Sequence, residues 1–376
     1  MSYDALTIDT NVVYTNSNFL SHGLVGQLDQ FKDGLVKFLL SEIIILELFQ
    51  SQKEKAKKSL EAMNNTIKIC SLNGHLNEEN IGVLKNVRDT MQQPEELGKQ
   101  KIDDFLKFTG AEVISADQAQ LKSIINKYFN NEPPFGKGKK KNEFPDAIAL
   151  LSLEDWADKK KKKILAVSKD KDWKSFAEQS DNIDVVEDLG EAMVLLNDLS
   201  SSMIPAAKSI LSDINALDQN TISFIDSKLE YAVETADIYL SFDSYLQGEI
   251  DAYNLSLVSY VVKGSEDDST EIDIVRVGSE NFAFRIPVKI MARVDAEINF
   301  YVKDSIDRDY VYLGNNLIEE ETSFDAYLLL ECNFYLNDPD DQNSTIYKID
   351  KVELIGIPFE IDIGYIDNPL ADDFYE

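Results

Sequence analysis

Histidine and cysteine are nearly missing from this chain, with two of each in 376 residues. His22 and His75 are the only histidines, which leaves no basis for a histidine-rich metal site or a serine–histidine triad. Cys70 and Cys332 are too few and too far apart for a disulfide framework, so they are expected as structural thiols in a reducing, cytoplasmic setting. No window approaches the roughly 18 uninterrupted apolar residues of a membrane span. Met1-Ser2-Tyr3-Asp4 does not open a basic-then-apolar leader, so neither a membrane nor a signal peptide is expected. Positive charge is what the second half lacks. Residues 1–197 hold 26 Lys and Arg against 31 Asp and Glu, a net −5, whereas residues 198–376 hold 11 against 37, a net −26.

Apolar residues make up 44% of the chain and charged residues 28%, the composition of a folded protein. The length calls for two or three domains, and the charge step places a boundary near residue 200. The expected layout is an α/β domain over 1–199, a helical linker over 200–235 and an acidic β-rich domain over 236–376.

Leu6 to Val13 reads as an opening strand containing Asp9, with Asn11 placed to position that acid or a water. Gly23–Phe31 reads as helical and Leu35–Leu40 as a second strand. Ser41 is a plausible N-cap for the helix that carries Glu42 and Glu47. Glu47 sits between Leu46 and Leu48, where burial without a partner is costly, so it either reaches outward or faces a polar centre. Residues 51–130 are mostly helical, with a short strand near 111–115. Pro145 marks a helix start with Asp146 in its first turn. Ile164-Leu165-Ala166-Val167 is a buried strand, followed at once by Ser168, Lys169, Asp170, Lys171 and Asp172. Ile183–Val186 is the last strand of this half, and a short helix closes it.

In an open parallel sheet, ligands bind outside the carboxyl ends of the strands. Taken alone, Asp146 and Asp170 are also what an ordinary helix start and N-cap require. Four acids, Asp9, Glu47, Asp146 and Asp170, recur at such ends. If they converge, their mutual repulsion calls for divalent cations, and a carboxylate-only donor set suits Mg²⁺ or Mn²⁺ and not zinc. Phosphodiester hydrolysis is the chemistry of such a centre. Lys137, Lys139, Lys140 and Lys141, with Lys169 and Lys171, are candidate phosphate contacts, and Lys159–Lys163 forms a second basic run.

The motifs "TIDTNVV", "LSEIIILEL", "KKKNEFPDAIALLSL" and "ILAVSKDKDW", in this order, resemble those of PIN-domain nucleases over about residues 5–197. The resemblance implies a three-layer α/β/α fold around a parallel sheet and Mg²⁺- or Mn²⁺-dependent cleavage of single-stranded RNA, as in a toxin or an antiviral effector. It assigns Asp9, Glu47, Asp146 and Asp170 as catalytic metal ligands and Asp172 as an auxiliary ligand. Asn11 and Ser168 become supporting residues, and Glu42 competes with Glu47 for the second acid. A DNA nuclease and an inactive protein-binding scaffold are the alternatives.

Beyond residue 235 the texture alternates with period two: 238–242, 253–262, 271–277, 282–286, 289–302, 326–336 and 347–357. An antiparallel sheet, a sandwich or a small barrel is expected. Glu319-Glu320-Glu321 reads as a solvated loop or a soluble edge. The acidic half is expected to regulate, either by covering the lysine runs, by binding a protein partner or by forming a homodimer.

Overall fold

The computed structural model describes residues 3–16, 20–136, 143–197, 200–215, 219–265, 269–303, 309–336 and 345–366. It divides into two compact units, Met1–Ala192 and Met193–Glu376. The candidate lysines 137, 139, 140 and 141 lie outside the described residues.

The first unit runs β1 (Ala5–Ile8), α1 (Thr10–Asn16), a 3-10 turn at Val25–Phe31, β2 (Lys37–Ser41), α2 (Glu42–Leu72), α3 (Glu78–Asp89), α4 (Pro94–Thr109) and β3 (Glu112–Ile114). It continues with α5 (Leu121–Asn130), α6 (Phe144–Lys160), β4 (Ile164–Val167), α7 (Lys171–Ala177), β5 (Ile183–Val186) and α8 (Leu189–Leu196). Five strands form one parallel sheet in the order β3-β2-β1-β4-β5. All residues of β1 and β4 are buried, which is why both read as unbroken apolar runs and not as alternating ones. Strand order reverses between β1 and β4, and their carboxyl ends therefore open onto a crevice.

Two boundaries differ from the sequence reading. Val12 and Val13, expected in the first strand, belong to α1: a turn from Asp9 O to Val12 N (3.1 Å) ends the strand early and buries both valines from the helical side. Leu35 is fully exposed, and the second strand begins at Lys37.

Ser41 caps α2 as expected, accepting from Ile43 N at 3.4 Å. Ile44, Leu48 and Gln52 bury one face of its first turns at helical spacing. Beyond them α2 is largely exposed and is backed by α4. Gly110 ends α4 at φ 65°, where a Cβ would stand 2.5 Å from Lys32 Cγ.

The second unit holds α9 (Ser200–Asn215), α10 (Gln219–Glu234), β6 (Tyr239–Asp243), β7 (Gln247–Val262), β8 (Asp273–Val277), β9 (Asn281–Lys303), β10 (Tyr310–Leu336), β11 (Thr345–Ile355) and β12 (Glu360–Tyr365). An antiparallel sheet runs β11-β10-β9-β7, with β8 pairing β9 beside β7, and β12 pairs β6 in parallel. Even-numbered residues of β9 from Phe282 to Phe300 are all buried, the period-two pattern of a one-faced sheet. Ala207, Ile210, Ile225, Leu229 and Val233 of the two helices join that core. The stretch read as a helical linker is thus part of this unit's interior.

β9 continues through Pro287, joining the segments 282–286 and 289–302 expected as separate strands. The Pro287 carbonyl accepts from Lys263 N at 3.0 Å, on the side where β8 has ended and β7 begins, and there no ladder donor is required of the proline. Glu319-Glu320-Glu321 is not a loop. The three residues sit within β10 opposite Asp295, Val294 and Arg293 of β9, and the Arg293 guanidinium reaches Glu319 at 3.1 Å and Glu321 at 3.9 Å. No helix among the described residues is long and apolar enough to cross a membrane.

Candidate active site

Asp9 follows the last residue of β1, and its amide donates to Val167 O of β4 at 2.9 Å, which pins it at the crevice between the two strands. It is only 6% exposed. Three neutral donors hold its carboxylate. Ser168 Oγ and Asn11 Nδ2 each donate to Oδ2 at 2.6 Å, and Thr10 Oγ1 stands 3.2 Å from Oδ1. The same Thr10 hydroxyl lies 3.1 Å from Glu47 Oε2, so one side chain of α1 touches both acids.

β4 delivers the second group. Ser168, fully buried, accepts from the Asp170 amide at 3.0 Å while donating to Asp9. Asp170 is the N-cap of α7 and accepts from Asp172 N at 2.7 Å, so its capping role and its place beside the site coexist. Asp146 enters from the first turn of α6, where the helix dipole favours an anion. The indole of Trp173 (1% exposed) donates to Asp146 Oδ1 at 3.2 Å and fixes its position.

Burial raises the Asp9 pKa; Ser168 and Thr10 oppose the rise and the Asp170 charge adds to it. Burial also raises Asp146, opposed by Trp173 and reinforced by Asp9, Asp170 and Asp172. Glu47 is exposed as a residue, yet its carboxyl end is desolvated enough to be raised, against the Thr10 bond and with Asp146 and Asp9 adding repulsion. A sixth acid joins them. Glu143, the residue before α6, is pushed up to about 7 by burial, by a hydrogen bond with Asp172 and by the charges of Asp172, Asp146 and Asp170. One of its oxygens, Oε2, is buried without a hydrogen-bond partner among the described residues. Acids contributed by β1, α2, the start of α6 and the end of β4 therefore share one field. Among the described residues no Lys or Arg pairs with Asp9, Glu47 or Asp146.

Residues 6–173 match the family model of the PIN domain. This part of the chain is a PIN domain. No curated protein and no solved structure matches the chain. PIN domains form a nuclease superfamily that generally works with divalent metal ions, and the parallel sheet with its crevice between β1 and β4 is the frame on which this one carries its acids.

The donor set of this PIN domain fits a hard divalent ion: every candidate ligand is a carboxylate oxygen, and the raised pKa values register charge that no cation among the described residues cancels. Among the described residues no group of three or more acids, histidines or cysteines already stands in a geometry that would hold an ion. The acids are neighbours, and drawing them into one coordination sphere needs side-chain movement.

Of the two glutamates weighed for the second acid, Glu42 is bonded elsewhere, accepting from Ala116 N at 3.0 Å and Ser115 Oγ at 3.3 Å, while Glu47 meets Thr10. Lys169 and Lys171 are exposed beside Asp170. The run Lys159–Lys163 does not flank the acids. It begins in the last turn of α6, about 20 Å along the helix from Asp146, and Lys162 and Lys159 pair with Asp4 (2.6 Å) and Asp155 (2.5 Å). Sequence reasoning passed over Thr10, Glu143 and Trp173. Glu143 had a legible signal, an acid three residues before Asp146 at the helix start; the bonds of Thr10 and Trp173 depend on pairings that no local pattern reveals.

Proposed function

We propose that the PIN domain is a Mg²⁺- or Mn²⁺-dependent endoribonuclease that cleaves single-stranded RNA. The observation that carries this reading is the convergence of Asp9, Glu47, Asp146 and Asp170 from distant parts of the chain into one field that no cation among the described residues neutralises. Asp9, Glu47, Asp146 and Asp170 would hold the metal, with Asp172 beside them. Bound there, a divalent ion supplies an activated water and charge stabilisation for the leaving oxygen. Ser168, Asn11 and Thr10 keep the Asp9 carboxylate ionised and oriented, and Trp173 does the same for Asp146. Glu143, hydrogen-bonded with Asp172 beside these acids, would be the group that exchanges a proton with the leaving group or the attacking water. Lys169 and Lys171 present positive charge to the RNA backbone.

The full chain, incubated with end-labelled single-stranded RNA and Mn²⁺, should give internal cuts that disappear with chelator. Asp9→Asn and Asp146→Asn should each lower the rate at least ~100-fold. Undiminished cleavage by both variants sinks the assignment. Single-stranded and flapped DNA run in parallel separate RNA from DNA specificity, and the lack of any Mn²⁺ binding by calorimetry would make the domain a scaffold.

A further inference from the structure

Phe144 stands between Glu143 and Asp146, yet its ring is 41% exposed. It meets Tyr128 at a centroid distance of 5.1 Å and an interplanar angle of 33°, and Phe135 at 5.1 Å and 64°. Tyr128 in turn meets Phe135 at 5.5 Å and Phe129 at 5.3 Å. Four rings from α5, the segment after it and the start of α6 thus form one cluster. Only Phe135, 3% exposed, is a core anchor; Phe129 at 74% is turned almost wholly to solvent.

Burial does not account for such a cluster. One buried ring is enough to fix the start of α6, and polar side chains would serve the exposed positions at lower risk of aggregation. What distinguishes the cluster is its place. Phe144 directly follows Glu143, whose carboxyl hydrogen-bonds with Asp172, so the ring cluster begins one residue along the chain from the acids. A strand whose phosphate rests at the acids has its neighbouring nucleotides within reach of the rings.

We propose that Phe144, Tyr128 and Phe129 form a stacking platform for an unpaired nucleobase flanking the scissile phosphate. The proposal rests on the nuclease reading above and adds a source of selectivity to it. Aromatic side chains accept any base, because every base offers a π-face, whereas bases within a duplex already stack on one another and cannot be taken up without unpairing. The platform makes the enzyme prefer single strands without reading sequence. Phe135 is a positioning residue that holds Phe144 and Tyr128 in place.

The test uses full-length protein with Asp146→Asn in Mg²⁺, so that binding is read without cleavage. The probe is a short oligouridylate carrying one 2-aminopurine, beside its deoxy counterpart and an annealed duplex. Binding of the single-stranded probes should quench 2-aminopurine fluorescence, and the duplex should show little quenching. Adding Phe129→Leu with Phe144→Leu should abolish the quench and weaken binding about tenfold or more at an unchanged thermal midpoint, while Phe144→Trp keeps both. Phe129→Leu alone, at an exposed position, covers the case in which the double change disturbs the fold. Equal quenching with and without the two rings, or tight binding that never quenches, overturns the platform. Stronger quenching of the deoxy probe supports the platform with DNA as the strand. Unchanged quenching in the ring variants, with metal-dependent cleavage by the wild type intact, refutes this inference only; equal cleavage by the wild type and Asp146→Asn refutes the nuclease reading and leaves the stacking result standing.

Discussion

The two units hold their acids in opposite ways. In the second unit, acids face cations across the sheet. Arg285 (5% exposed) meets Asp273 through Nη2 at 2.8 Å and Nε at 2.9 Å, and Lys351 lies between Glu353 at 2.9 Å and Glu331 at 3.3 Å. In the PIN domain, Asp9, Glu47 and Asp146 are held by hydroxyl, amide and indole groups that position a carboxylate without discharging it. Formal charge therefore misleads. The unit with net −26 spreads its acids over long strands and pairs some of them with its few cations, while the unit with net −5 concentrates a few of them where water is scarce. Concentrated, neutral-held acids are the arrangement that calls for a metal ion; an acid facing a buried cation helps hold a fold.

The sharpest way to break this contrast is to neutralise one acid of each kind. Asp273→Asn removes the charge facing buried Arg285 and should cost about 3 kcal/mol, read as a lowered unfolding midpoint in denaturant. Asp146→Asn relieves repulsion instead, and in chelator it should leave the midpoint unchanged or raise it. A large loss in the second case would mean that these acids are structural after all. A milder probe removes one neutral holder. Ser168→Ala strips a 2.6 Å bond from Asp9 and should lower metal affinity or turnover about 10–100-fold, measured by Mn²⁺ titration and initial rates.

The smallest effect is the pH dependence of Glu143. Its carboxyl rises from 4.5 to about 7, so the neutral form is the one the fold prefers. Its contribution to stability is complete below about 4.5 and is lost as pH rises through about 7. Metal-free protein should accordingly melt lower at pH 8 than at pH 6, and Glu143→Gln should flatten that difference. A wild-type midpoint that climbs from pH 6 to pH 8 would contradict the assigned environment.

Much of this was legible in the chain. β1 and β4 announce themselves as apolar runs because a parallel sheet is buried on both faces, and the acids after them follow from where such strands end. β10 was only partly visible. Its segment Glu319-Glu320-Glu321 is polar on successive residues and reads as a loop, but Arg293 on the neighbouring strand makes it strand-compatible. The same limit hid Thr10 and Trp173, whose partners lie 37 and 27 residues away.

By itself the sequence determined most element types and the strand and helix ends at which Asp146 and Asp170 stand, since periodicity, caps and proline placement are local properties. Tertiary structure decided which acids share a field: it drew Glu47 toward Asp9 through Thr10, bonded Glu42 elsewhere, added Glu143, and carried Lys159–Lys163 to the far end of α6. The reason is physical. Propensity and hydrophobic pattern act over a few residues, whereas repulsion and desolvation act between side chains whose distance is set only once the sheet has assembled.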